Sequence, residues 1–259
     1  MHKQTRDGVD GYYRCPDCRK VFTVRTGTIF ELSHVPLDKW LYAIYLLVTS
    51  RKGVSSLQLS KVLGITQKSA WFMRQRIREA LGNDDDDQNG FLQGIIEADE
   101  TYIGGKKTNS GRGTVGKVAV IGLRQRGGNV VVSVIGGTST NIIRSVVRST
   151  IAPGSMLCTD EHSSYKGMYE YTYHVVNHSA KQFVDGMAHA NGIESVWAVL
   201  KRGFYGVYHL FSAKHLQRYI DEFAYRLNEG NVRIQPMDRF HALLRKTVGK
   251  RITYKTLIA

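Results

Sequence analysis

What this chain lacks narrows its class first. No run of about 18 consecutive apolar residues occurs, so no membrane span is expected and the protein is expected to be soluble. The first residues, MHKQTRDGVDG, hold no apolar segment of the kind that directs secretion. Cysteine is scarce: the chain has three, two of them in a single CxxC, which fits a reducing cytoplasm better than a disulfide framework. Acidic residues are short as well, 22 against 36 Lys and Arg, which leaves a net charge of +14. The excess is uneven: residues 1–90 carry 14 basic and 10 acidic side chains, 91–188 carry 10 and 7, and 189–259 carry 12 and 5. Such a balance points to a polyanion, most often nucleic acid, although ribosome-bound and anionic-membrane proteins share it. With 259 residues, 42% of them hydrophobic, there is room for one large domain or two smaller ones around a sizeable core.

What is present begins with YYRCPDCRKVFTVRTGTIF at 12–30, where Cys15 and Cys18 form a CxxC among basic and aromatic residues. CxxC on a tight turn is half of a zinc-ribbon site, which needs four ligands in tetrahedral array. There is no second CxxC, Cys158 is remote and His34 stands alone, so the visible spacing builds an orphaned half-site for Zn²⁺. Pro36 opens a helix with Trp40, Ile44 and Leu47 at helical spacing and Gly53 as a stop. Leu57, Leu59 and Val62 belong to a next helix ending at Gly64. Thr66 then caps another, with Ala70, Met73, Ile77 and Leu81 as its buried stripe. Two short helices about a Gly-containing turn make a helix-turn-helix pattern. Its second helix is expected to present Gln67, Lys68, Arg74 and Arg78 outward, toward phosphates and base edges. A helical hairpin with a basic face would look the same.

The run NDDDDQNG at 83–90 cannot pack and reads as a solvated linker rather than a metal site. From residue 94 strands take over. GIIEADETYIGG places Glu97 and Asp99 on one face and Glu100 on the other by period-2 alternation. A hairpin about Gly127–Gly128 follows, then an amphipathic helix in NIIRSVVRSTI, a short buried strand running into Asp160, Glu161 and His162, and a strand in YHVVNHS. The segment from His189 to Gly203 closes the series as a helix. At about 3.6 residues per turn, Ile193, Val196, Trp197, Leu200 and Phe204 share its apolar stripe. Asn191, Glu194 and Lys201 share the neighbouring stripe, Glu194 and Lys201 lying seven positions apart. By itself this is equally an ordinary amphipathic helix with a solvated Glu and Lys.

Strand, hairpin, helix, strand, strand, helix is the element order of an RNase H-like α/β domain. Such a domain keeps carboxylates on its first strand, at the end of its fourth and on a later helix. Asp99, Asp160 and Glu194 occupy those places. Two Mg²⁺ ions about 4 Å apart require hard carboxylate oxygens of this kind to drive in-line displacement at phosphorus. Taken singly, each acid is a turn or surface residue.

Five stretches together resemble the ISXO-like DDE transposases of bacterial insertion sequences over nearly the whole chain. They are YRCPDCRKVFTVRTGTIFE, the helix-turn-helix region, EADETYIGGKK, CTDEHSSY and HANGIESVWAVLKRGFYGVYH. The resemblance implies that Asp99, Asp160 and Glu194 are the catalytic, Mg²⁺- or Mn²⁺-holding acids, with Lys201, and beside it Arg202, on DNA. Asn191 is the rival third ligand, since members of the group can carry Asn in that role. The implied activity is cutting of element ends and joining of the 3′-OH to target DNA. The implied assembly is a homodimer or higher oligomer at the terminal repeats, in the nucleoid-associated cytoplasm of a bacterium. Family members begin with a complete zinc ribbon, so only a partial one is expected here, able to hold Zn²⁺ only if completed. A catalytically silent DNA-binding protein derived from a transposase is the competing class, and a nuclease without strand transfer a third.

The expected architecture is a partial zinc-ribbon remnant (1–35), a helix-turn-helix region (36–82), an acidic linker (83–93), an RNase H-like mixed sheet flanked by helices (94–235) and a basic tail (236–259). His162, Tyr165 and His178 would flank the active site or serve as structural polar residues. In FYGVYHLFSAKHLQRYIDEF, the spacing of Leu210, Leu216, Ile220 and Phe223 suggests core packing more than a DNA path.

Overall fold

The structure, a computed structural model, describes residues 2–6, 9–82, 91–104, 116–160, 163–175, 191–209, 212–230 and 234–259, with side chains from residue 11 onward except at Val175. Residues 83–90 of the expected linker (83–93), with Glu161, His162, His178 and Leu210, lie outside them, while Leu92, expected in that linker, is buried and bridged to Ile151. The chain separates into two compact units, one of Met1–Gly82 with Val232–Ala259, the other of Asn83–Asn231. Among the described residues no helix is long and apolar enough to cross a membrane.

The first unit opens on a three-stranded antiparallel ribbon, β1 (His2–Arg6), β2 (Val9–Arg14) and β3 (Val21–Thr23). The CxxC forms the turn between β2 and β3, closed by the Cys15 N–H donating to Lys20 O at 3.0 Å and the Arg19 N–H donating to Cys15 O at 3.0 Å. Three helices follow: α1 (Leu37–Thr49), α2 (Ser56–Leu63) and α3 (Gln67–Glu79). Pro36 precedes α1, and Trp40, Ile44 and Leu47 are buried on it. Gly64 ends α2 with φ 59°, a left-handed conformation that glycine adopts at little cost. The Thr66 hydroxyl accepts the Ser69 N–H at 3.1 Å, satisfying one of the free amides at the start of α3. Thr66→Ala is therefore expected to destabilise this unit by about 1 kcal/mol, read as a lower urea midpoint with unchanged slope.

The expected apolar stripe of α3 is in place: Ala70, Met73, Ile77 and Leu81 are all buried. Its basic residues are not where the sequence suggested. Gln67 and Lys68 are exposed, but Arg74 and Arg78 are buried, at 3% and 1% exposure. Every residue from Met73 to Arg78 is covered, so the second half of the helix is enclosed on all sides. Arg76 shows how such an interior takes a guanidinium: it donates to Glu31 O at 2.5 Å and lies 5.5 Å from the rings of both Trp40 and Phe72. Burial lowers its pKa from the usual arginine value.

Residues 236–259, expected as a basic tail, contain α7 (Pro236–Arg245) and α8 (Tyr254–Ile258) and belong to this first unit. The Ile29 N–H donates to Thr247 O at 3.1 Å and the Gly249 N–H to Gly27 O at 2.8 Å. Tyr254 meets Phe72 edge to face at 5.4 Å and carries the Lys68 ammonium over its ring at 4.8 Å.

In the second unit the strands are β4 (Ile95–Ile103), β5 (Val118–Gln125), β6 (Val130–Ile135), β7 (Met156–Thr159) and β8 (Thr172–Val175). The helices are α4 (Thr140–Thr150), between β6 and β7, then α5 (Asn191–Gly203) and α6 (Leu216–Glu229). The sheet runs β6-β5-β4-β7-β8; β4, β5 and β6 form an antiparallel meander, and β7 and β8 lie parallel to β4 and to each other. This is the RNase H-like order, with the first strand central. Alternation along β4 splits the core in two. Ile96 and Ala98 join Ile121, Ile143 and Val147 on the α4 face, while Ile103 joins Val120, Trp197, Leu200 and Ile220 on the face covered by α5 and α6. Leu216, Ile220 and Phe223 pack in that second core, as the sequence suggested.

Candidate active site

Asp99 sits mid-strand on β4, on the face covered by α5, because it shares the parity of Ile103 rather than of Ile96 and Ala98. Its Oδ1 accepts the Glu100 N–H at 2.8 Å, and its Oδ2 accepts the Trp197 indole N–H at 2.9 Å. Opposite it on β5 stands Gly122, where an added Cβ would lie 2.6 Å from Trp197 and 2.8 Å from Ile193. The missing side chain is what lets the indole reach the strand. Burial raises the Asp99 pKa against the Trp197 hydrogen bond, and the charges of Asp160 and Glu194 raise it further. The three acids therefore share one electrostatic neighbourhood.

Asp160 follows the last residue of β7. The parallel register pairs Ile95 with Met156 and Glu97 with Cys158, so its continuation brings Asp160 level with Asp99 on the same face. Glu194 lies in the first turn of α5 and is exposed, as is Asn191. Lys201 and Arg202 are exposed in the last turn of α5. The stripe read from the sequence is buried in full: Ile193, Val196, Trp197, Leu200 and Phe204. Among the described residues, no three His, Cys, Asp or Glu side chains close into a group that would hold a metal ion as they stand.

The other sequence-derived candidates fall elsewhere. Tyr165 is buried on the α4 face, where its hydroxyl donates to Glu100 and burial pushes its pKa well above the ordinary tyrosine value. Cys15, Cys18, Gln67 and Lys68 belong to the first unit. The Cys15 thiol is lowered by hydrogen bonds from the backbone of Cys18 and then of Asp17, the polarity a thiolate ligand requires. Two thiols do not fill a tetrahedral zinc site, and the described residues supply no third or fourth ligand.

Glu97 shares the strand face of Asp99, and the sequence alone indicates no task for it. It is buried at 1% exposure; its Oε1 accepts from Arg126 Nε at 2.9 Å and its Oε2 from the Ile193 N–H at 2.9 Å. Trp197 was legible as a packing residue but not as a donor to Asp99. The one available hint was Gly122, a glycine inside a strand that otherwise reads VAVIGLRQ.

A central first strand with an antiparallel meander on one side and parallel strands on the other is the RNase H-like fold. Residues 91–228, more than half of the chain, match the family model of the ISXO2-like transposase domain, and the chain belongs to that family. It is 29% identical over 211 residues to an uncharacterized protein in the transposable element ISH50 of Halobacterium salinarum, an alignment covering 73% of this chain and 69% of that protein. Among solved structures, a pre-cleavage Mos1 transpososome overlaps at TM-score 0.27 with 13% identity, covering 82% of this chain and 80% of that one. The Drosophila P element transposase strand transfer complex overlaps at TM-score 0.28 with 10% identity, covering 88% and 63%. Overlaps this loose assign no residue.

Proposed function

We propose that this protein cuts the ends of an insertion element and joins the freed 3′-OH to target DNA, with Asp99, Asp160 and Glu194 as its catalytic acids. The observation that carries the reading is the convergence of β4, β7 and α5, which leaves Asp99 under the charge of both other acids. The donor set is all carboxylate oxygen, the hard chemistry that Mg²⁺ or Mn²⁺ prefers, and crowded like charges are what such a cation relieves. When bound, the divalent ions activate the attacking oxygen and stabilise the leaving one.

The remaining work belongs to side chains of this protein. Trp197 fixes the orientation of the Asp99 carboxylate through its indole N–H. Lys201 and Arg202, exposed two turns beyond Glu194, hold backbone phosphates of the cleaved end. Gln67 and Lys68, exposed at the start of α3, contact the terminal repeat through the helix-turn-helix. Asn191 is the alternative to Glu194, one turn earlier on α5. Two copies acting on paired ends suit the reaction, since two element ends must be joined.

The test is cleavage and joining of labelled DNA carrying the flanking element ends, with Mg²⁺, Mn²⁺ or EDTA. Divalent-dependent nicks and joined products are expected. Nicking without joining would reduce the activity to a nuclease. Specific binding with no cleavage under any metal would establish instead a silent DNA-binding derivative.

A further inference from the structure

The acid that the proposed chemistry leaves over is Glu97. It stands two residues before Asp99 on the same face of β4, and neither of its oxygens faces solvent. One is taken by Arg126 on the turn after β5, the other by the Ile193 amide. Ile193 is the third residue of α5, so its N–H is one of the first four that a helix cannot satisfy internally. Glu97 thus supplies, from a neighbouring strand, the acceptor and the negative charge that a helix N-terminus favours. The fit is close. A Cβ on Gly192 would meet Glu97 Oε2 and the Arg124 guanidinium, so any larger residue there would have to displace one or both of these side chains. The next residue after Ile193 is Glu194.

We propose that Glu97 is a positioning residue that clamps the first turn of α5 to β4, fixes Glu194 relative to Asp99, and thereby sets the divalent-cation affinity without touching the ion. The proposal rests on the reading of Asp99, Asp160 and Glu194 as the metal-holding acids. It assigns the clamp to one carboxylate with two named partners, and it separates the roles of two acids that lie on one strand face. Outer residues that orient ligands in this way govern affinity nearly as strongly as the ligands themselves.

The experiment is Mn²⁺ binding to the full chain in the absence of DNA, followed by the paramagnetic resonance of free Mn²⁺. Wild type is compared with Glu97→Ala, Glu97→Gln and Asp99→Asn, with folding checked by circular dichroism and thermal melting. Ions taken up by the acidic run at 83–90 persist in Asp99→Asn and are subtracted. Glu97→Ala is expected to weaken the Asp99-dependent binding by roughly 10-fold or more. Glu97→Gln, which keeps an oxygen for the Ile193 N–H but loses the charge facing Arg126, should recover part of it. A purely structural role would lower the melting temperature and leave the affinity of the folded protein unchanged, and that result overturns the proposal. Should Glu97→Ala fail to fold, unchanged affinity in Glu97→Gln overturns it equally. Absence of any Asp99-dependent binding in wild type would refute the metal reading, and the clamp would fall with it.

Discussion

Asp99→Asn is expected to lower end cleavage by about 1,000-fold or more while leaving DNA binding intact. Losing one shared metal-binding carboxylate removes several kcal/mol of charge stabilisation at phosphorus, and about 1.4 kcal/mol is a factor of ten in rate. The substitution is isosteric, so its effect on the fold comes from two opposing changes. An asparagine has one oxygen where Asp99 has two, so either the Glu100 N–H or the Trp197 indole loses its acceptor. Against that, a half-buried charge crowded by Asp160 and Glu194 is removed. The two nearly cancel, and the melting temperature should barely move. Asp160→Asn should behave alike. Electrophoretic binding and cleavage assays on one DNA substrate separate the two activities, and wild-type cleavage by either variant would end the assignment of the acids.

The second large effect arises at a residue with no chemistry of its own. Gly122→Ala places a methyl 2.6 Å from the Trp197 ring and 2.8 Å from Ile193, both inside the packed face of α5. Overpacking of this kind costs about 1–3 kcal/mol and forces the larger ring to move. Movement of the indole withdraws its N–H from Asp99, so cleavage should fall roughly 10-fold even where the protein remains folded. The two closest clashes are with Cζ2 and Cη2, the far edge of the indole, which Phe does not possess, leaving only the end of the Ile193 side chain to shift. The double variant Gly122→Ala with Trp197→Phe should therefore regain stability in urea melts but not cleavage, because the donor to Asp99 stays absent. Parallel recovery of both would show that packing alone governs this part of the site.

The faces of Asp99 and Glu194 were readable from the sequence because both lie on elements with clear periodicity, whereas Asp160 lies just beyond the short strand β7. The α5 stripe from Ile193 to Phe204 gives the helix its orientation, and the parity of β4 assigns Asp99 a face. Three features were not visible. The stripe of Ala70, Met73 and Ile77 shows which side of α3 is buried, but nothing in its spacing shows that the far side is covered too. Arg74 and Arg78 were accordingly expected outside. Residues 236–259 look like a basic tail because the residues that receive α7 and α8, from Gly27 to Phe72, are remote in sequence. Glu97 and Asp99 share a face and a residue class, and nothing in the sequence shows that Glu97 is held by Arg126 and the Ile193 N–H.

The two-part construction of the first unit has a consequence for how the molecule is made. Ile29 and Gly27 find their backbone partners at Thr247 and Gly249, and α3 meets Tyr254, all near the end of the chain. A ribosome releases those partners only after the whole of Asn83–Asn231 has emerged. The usual order, in which the N-terminal domain folds first during synthesis, is thus reversed. The interior unit can finish folding while the unit that surrounds it in sequence still waits for its closing segment. A chain cut short before Thr247 would carry the complete sheet with Asp99 but a first unit without its closing segment.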